Sequence, residues 1–304
     1  MLGKLLKYDL KAVGKYWWII IVVMLGLFGA AGISFGTSQW IINIISELGL
    51  VVSDEAFALG LSIVTGITEF FLITTFSISL MGIGGCFIAV AILIYVRYFK
   101  HLFTDEGYLT FTLPASRAQI FNAKVINAVI WVTLTGVAAL IGALIMMLFM
   151  SVGSIGILDI EFIKMILHDV ASIPITQWFW FALWGIIIAL IAITGCVLEP
   201  CAAYFCITLG ATVFKRAKLF AAIGIYLLMN FMVQNIAKFA SYGFMVYLML
   251  ATFGIVDFIT KAPLLGINAI ITMALLVVLA IMATAAAILY CATRNIIERK
   301  LNLA

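Results

Sequence analysis

An all-α, polytopic membrane fold with six transmembrane helices is predicted by three observations. Apolar residues make up 66% of the chain and charged ones 10%, whereas soluble domains run at about 45–50% and about 25%. The apolar runs are continuous over about 20 residues or more, the length a helix needs to cross a hydrocarbon core. The basic residues fall in segments that a six-span topology puts on one side, so both termini are placed in the cytosol. A transmembrane β-barrel would instead show segments of about 10 residues alternating apolar and polar, and is excluded. One transmembrane domain therefore covers residues 1–304.

In chain order, residues 1–15 place Lys4, Lys7, Lys11 and Lys15 on one helical face, with Leu2, Leu6, Leu10 and Val13 broadly opposite. That pattern predicts an amphipathic helix on the anionic cytoplasmic leaflet. Asp9 falls on its apolar side, either to meet a partner or a neighbouring lysine, or to snorkel as part of a solvated anchor. Span one is expected over residues 16–35, entered through Trp17 and Trp18 at the interface. A cleaved signal peptide competes as a reading, because Gly29-Ala30-Ala31-Gly32 follows the run, but the run is longer than a signal's apolar region. Residues 36–68 lack Lys and Arg and carry Glu47, Asp54 and Glu55, which predicts an outer loop. Span two is expected over 70–95, with Gly82, Gly84 and Gly85 allowing close helix approach.

Residues 97–124 form a polar interruption between two apolar segments, with Arg97, Lys100, Arg117 and Lys124. Thr104 is a candidate N-cap, Asp105 and Glu106 suit the positive end of a helix dipole, and Pro114 forces a stop at or before Leu113. The resulting short helix carries Tyr108, Leu109, Phe111 and Leu113 as an apolar face too short to span a membrane. Such a face calls for a groove on a partner. Ser116 and Gln119 have capping-box spacing, so a new helix starts there.

Span three is expected over 128–150, then an outer loop at 151–176 with a surface helix over 160–170 and a solvated His168. Span four opens on Trp178, Phe179, Trp180, Phe181 and Trp184 and stays apolar to Phe214. That exceeds a core of about 30 Å, so the helix must tilt, project into the cytosol or break at Pro200. Span five is expected from 219 to about 233 or 238, an outer re-entrant region over 239–263, and span six over 264–290 before a cytoplasmic tail.

This topology puts 14 of the 17 Lys and Arg residues in the cytosol, with Lys164, Lys261 and Lys238 at the outer side. Eight of the 13 acids lie outside or at the outer mouth, a face suited to cations or cationic peptides. No phosphate-binding loop, H-E-x-x-H or G-x-S-x-G motif is present, so no catalytic residue is assigned and the chain carries no engine of its own. Cys86, Cys196, Cys201, Cys206 and Cys291 sit in or beside apolar runs without metal-ligand spacing and read as packing residues, with no metal expected. Glu199 is the strong candidate for an ionisable group inside the membrane. Beside Pro200, which frees a carbonyl four residues back, it either lines a substrate path or is a structural carboxylate at a kink.

The basic start KLLKYDLKAVGKYW, six spans, and DEGYLTFTLPASRAQIFNAK between spans two and three resemble the permease subunit of type-2 ATP-binding-cassette (ABC) exporters of Gram-positive bacteria. The resemblance covers the whole chain in architecture, and its most specific part is E-G-x-L-x-x-x-L-P-x-S at residues 106–116. It implies a coupling helix of Asp105, Glu106, Tyr108, Leu109, Phe111 and Leu113 docked in a groove of a separate cytoplasmic ATPase subunit that binds ATP and Mg. It also implies a second permease chain, as homodimer or heterodimer, in the bacterial plasma membrane, and export of an amphipathic or apolar substrate: an antimicrobial peptide, drug or lipid. Two other classes stay open, a secondary transporter using Glu199 and a peptide-sensing or immunity membrane protein that moves nothing.

Overall fold

In the computed structural model the described residues form six long helices: α1 (Leu2–Gly49), α2 (Glu55–Phe103), α3 (Arg117–Ile155), α4 (Ile175–Val213), α5 (Lys218–Thr252) and α6 (Leu265–Lys300). The structure describes residues 2–49, 55–104, 107, 116–155, 164, 168, 175–214, 217–252 and 265–300, with side chains through Asn235 in α5 and from Ile271 to Arg299 in α6. Among the described residues, five helices are long and apolar enough to cross a membrane, over Leu5–Ile45, Ser62–Phe103, Arg117–Ser151, Gln177–Val213 and Ile271–Arg299. The chain is therefore an all-helical protein built for multiple membrane passes. Large apolar side chains such as Val22, Ile73, Leu144, Ile186 and Ile281 are exposed on these helices, which in a bilayer meets acyl chains rather than water.

The helices are longer than their hydrocarbon spans. With 48 residues, α1 extends about 72 Å against a core of about 30 Å. It runs without interruption from Leu2 through the basic start and through Gly29-Ala30-Ala31-Gly32, where the sequence suggested an interfacial helix followed by a separate span ending near residue 35. The reason is a single buried stripe of Val13, Trp17, Ile21, Met24, Phe28 and Ala31, spaced by four, four, three, four and three. Asp9 sits one turn earlier on this stripe and is buried, so it does not snorkel. Helix α4 is likewise continuous, with Pro200 inside it and no break. Helix α5 carries on to Thr252 beyond the expected end of span five. Residues 239–252 thus continue that helix, and the remainder of the expected re-entrant region, 253–263, falls outside the described residues.

The chain divides into two compact units, the first of residues 1–6, 95–129 and 174–304, the second of residues 7–94 and 130–173. In the second, α1 packs on α3 through small residues and aromatics. A Cβ on Gly32 would lie 2.7 Å from the Met146 carbonyl oxygen, the close approach that glycine permits between membrane helices. The Trp17 indole N–H donates to Thr135 Oγ1 at 2.9 Å, and the Thr135 hydroxyl donates to the Trp131 carbonyl at 2.7 Å. The N-terminal half of α2 carries Ser62, Thr65, Thr68, Thr74, Thr75 and Ser77, whose hydroxyls each donate to a carbonyl three or four residues earlier. Each of these six hydroxyls is thereby paired within its own helix.

In the first unit α4 packs against both α5 and α6. Its buried face is Cys201, Ala203, Tyr204, Cys206, Thr208 and Ala211. Trp184 ties α4 to α6 by donating its indole N–H to Thr272 Oγ1 at 3.0 Å.

Candidate functional site

The polar stretch between α2 and α3 is held from both ends. Lys100 and His101 lie in the last turn of α2, where positive charge suits the carbonyl end of a helix. Thr104, expected to open the next helix, donates its hydroxyl to the Lys100 carbonyl, while its own carbonyl accepts the N–H of Gly107, itself helical, at 2.8 Å. Gly107 is buried, and a Cβ there would stand 2.9 Å from the Leu102 carbonyl oxygen. A side chain at the glycine of the E-G pair would thus run into the end of α2. Asp105, Glu106, Tyr108, Leu109, Phe111 and Leu113 lie outside the described residues.

Helix α3 begins with the predicted reciprocal cap. The Gln119 N–H donates to Ser116 Oγ at 3.2 Å, and the Ser116 N–H donates to Gln119 Oε1 at 3.3 Å. Its first turns are clamped to three helices. The Tyr290 hydroxyl of α6 donates to Asn122 Oδ1 at 2.6 Å, the Tyr204 hydroxyl of α4 donates to the Lys124 carbonyl at 3.3 Å, and Lys124 Nζ lies 3.0 Å from His101 Nδ1 of α2. Lys124, counted as a cytosolic charge from sequence, is buried. An ammonium donating to Nδ1 requires the proton of a neutral His101 to sit on Nε2. The end of α2 is fixed as firmly: Tyr98 stacks on Tyr204 at 3.8 Å between ring centroids, 13° from parallel, and its hydroxyl is 2.9 Å from Thr208 Oγ1.

Glu199 lies above this clamp on α4, 14 residues and about 21 Å of helix before Val213. Tyr226 of α5 donates its hydroxyl to Glu199 Oε1 at 3.3 Å. Tyr95 of α2 reaches the same place, its ring 6.4 Å from Tyr226 and 6.0 Å from Tyr204, and its buried hydroxyl has no hydrogen-bond partner. Pro200 is fully buried beside them. The structure thus surrounds the predicted Glu199 and Pro200 with tyrosines that sequence reasoning missed. The available signal was a pair of phenols, Tyr95 and Tyr98, inside a run otherwise apolar, since buried tyrosine hydroxyls seek partners.

All five cysteines are unpaired, and Cys86, Cys201 and Cys206 are buried. Among the described residues no group of His, Cys, Asp and Glu is arranged to hold a metal ion. Comparison of the chain with family models, with curated proteins and with solved structures finds no match in any of the three.

Proposed function

We propose that this chain is the transmembrane permease subunit of a type-2 ABC exporter of a bacterial plasma membrane. It spans six times with both termini cytosolic, pairs with a second permease chain and moves an amphipathic or apolar substrate outward. The power comes from ATP and Mg on a separate cytoplasmic ATPase subunit. The observation that supports this reading is the mounting of the segment between α2 and α3, which carries E-G-x-L-x-x-x-L-P-x-S at residues 106–116. A short apolar segment held by a glycine turn at one end and a capping box at the other can transmit a push. The Tyr98–Tyr204 stack and the Tyr290–Asn122 bond would carry it to α4 and α6.

Purification from the native membrane in mild detergent, followed by native mass spectrometry, tests the assignment. One ATPase subunit per permease chain is the expected result, and a fully folded chain that arrives alone would overturn it. A secondary transporter is the second reading, favoured by Glu199 alone, and it predicts that solitary chain. Gly107→Ala is expected to lower ATPase stimulation several-fold with helix content by circular dichroism unchanged, because the added methyl meets a backbone carbonyl that cannot rotate away. Unchanged stimulation would remove the turn from the coupling path.

A further inference from the structure

We propose that Glu199, Tyr95 and Tyr226 form a binding site for the protonated amine of an amphipathic ligand; this rests on the exporter reading and names a substrate class for it. A carboxylate at this depth needs a proton, a cation or a full set of donors. Among the described residues, Tyr226 donates to Glu199, with the Tyr95 ring 6.4 Å from the Tyr226 ring. Tyr226 donates to one oxygen, Oε1, at 3.3 Å. Beside it the Tyr95 hydroxyl is buried with no hydrogen-bond partner, a state that carries a desolvation cost unless something completes it.

A single species complements both. An ammonium N–H donates to the Glu199 carboxylate while a second N–H donates to the Tyr95 oxygen, and the positive charge lies among the rings of Tyr95, Tyr226 and Tyr204, whose faces attract cations. An anion would meet the carboxylate and is rejected. A neutral alcohol lacks the charge. The side chain of Glu199 is half-buried, so the site is reachable, and apolar helix surface such as Ile193 and Ile223 on the same helices is exposed for the ligand's tail.

The test uses the full chain in lipid nanodiscs without nucleotide or ATPase, and three probes with one tail: decylammonium, decyltrimethylammonium and decanol. Binding is read by equilibrium dialysis as the excess over empty nanodiscs. Decylammonium is expected to bind saturably, one per chain, more tightly than decyltrimethylammonium, with no saturable decanol binding. Glu199→Gln keeps an acceptor for Tyr226, so the fold is retained, and is expected to weaken decylammonium about ten-fold or more. Tyr226→Phe is expected to weaken it less, about three-fold, because the ring face stays. Equal binding to the wild type and Glu199→Gln, or saturable binding of all three probes alike, would overturn the proposal. So would a site that responds to sodium or protons with no saturable amine binding. Because no ATPase is present, failure here leaves the exporter reading standing, and a chain that purifies alone leaves the amine site standing.

Discussion

Phe111→Asp is expected to abolish substrate-stimulated ATPase activity in the reconstituted complex and to weaken association of the two subunits by about 30-fold or more. In the proposed docking, Phe111 and Tyr108 lie three residues apart and Leu109 and Leu113 four apart, so one turn of helix presents a compact apolar patch. Patches of this size draw most of their affinity from one or two aromatic anchors, each costing about 2 kcal/mol or more when truncated. An aspartate adds to that loss the cost of placing a charge in an apolar groove without a counter-charge. The substitution lies outside the clamped ends of the segment, so the Ser116–Gln119 cap and the Tyr98–Tyr204 stack are expected to remain. Phe111→Leu is the control, expected to keep most of the stimulation because it keeps an apolar anchor. Full stimulation in Phe111→Asp would remove this segment from the coupling path, whatever the chain transports.

The sequence made some features legible because their physics is local. The Ser116–Gln119 cap follows from two residue types at one spacing, and both of its bonds are formed. The apolar side of the α1 start, including the position of Asp9, follows from the helical period, and the buried stripe from Val13 to Ala31 continues it. Other features depend on what packs against what. Gly29-Ala30-Ala31-Gly32 reads in one dimension as the small-residue end of a competing signal peptide, yet Gly32 is a contact surface for the Met146 backbone, and a contact strengthens a helix that a glycine by itself would weaken. Pro200 reads as a break, but it is fully buried within an uninterrupted α4, where neighbouring helices support it. The tyrosines around Glu199 come from positions 95, 204 and 226, separations at which no periodicity signals contact. Lys124 is similar: positive charge near the cytosol is expected by rule, while its burial against His101 is set by the fold.

Gly210→Val is expected to lower the melting temperature of the purified chain by roughly 5–10 °C and to remove amine binding at Glu199 in the same variant. A Cβ at Gly210 would stand 2.6 Å from the backbone nitrogen of Ala222 and 2.7 Å from its Cα, and Ala222 is itself buried. These are backbone atoms of α5. No side chain can rotate to make room, so the helices must separate or the contact must be lost. Overpacking of this kind costs about 1–3 kcal/mol, and for a chain of this size each kcal/mol lowers the midpoint by about 2–4 °C. Tyr226 lies one helical turn beyond Ala222 on α5 and donates across to Glu199 on α4 at 3.3 Å, a distance with no slack. Moving α5 away by even half an ångström breaks that bond, so the stability defect and the binding defect share one cause. Gly224→Ala on the same helix provides the contrast. Nothing lies within 4 Å of a Cβ at that position, so alanine is expected to leave binding intact and to hold or raise the melting temperature through its better helix propensity, about 1 kcal/mol. If Gly210→Val and Gly224→Ala melt alike, the close approach of α4 and α5 is not what holds the Glu199 site together.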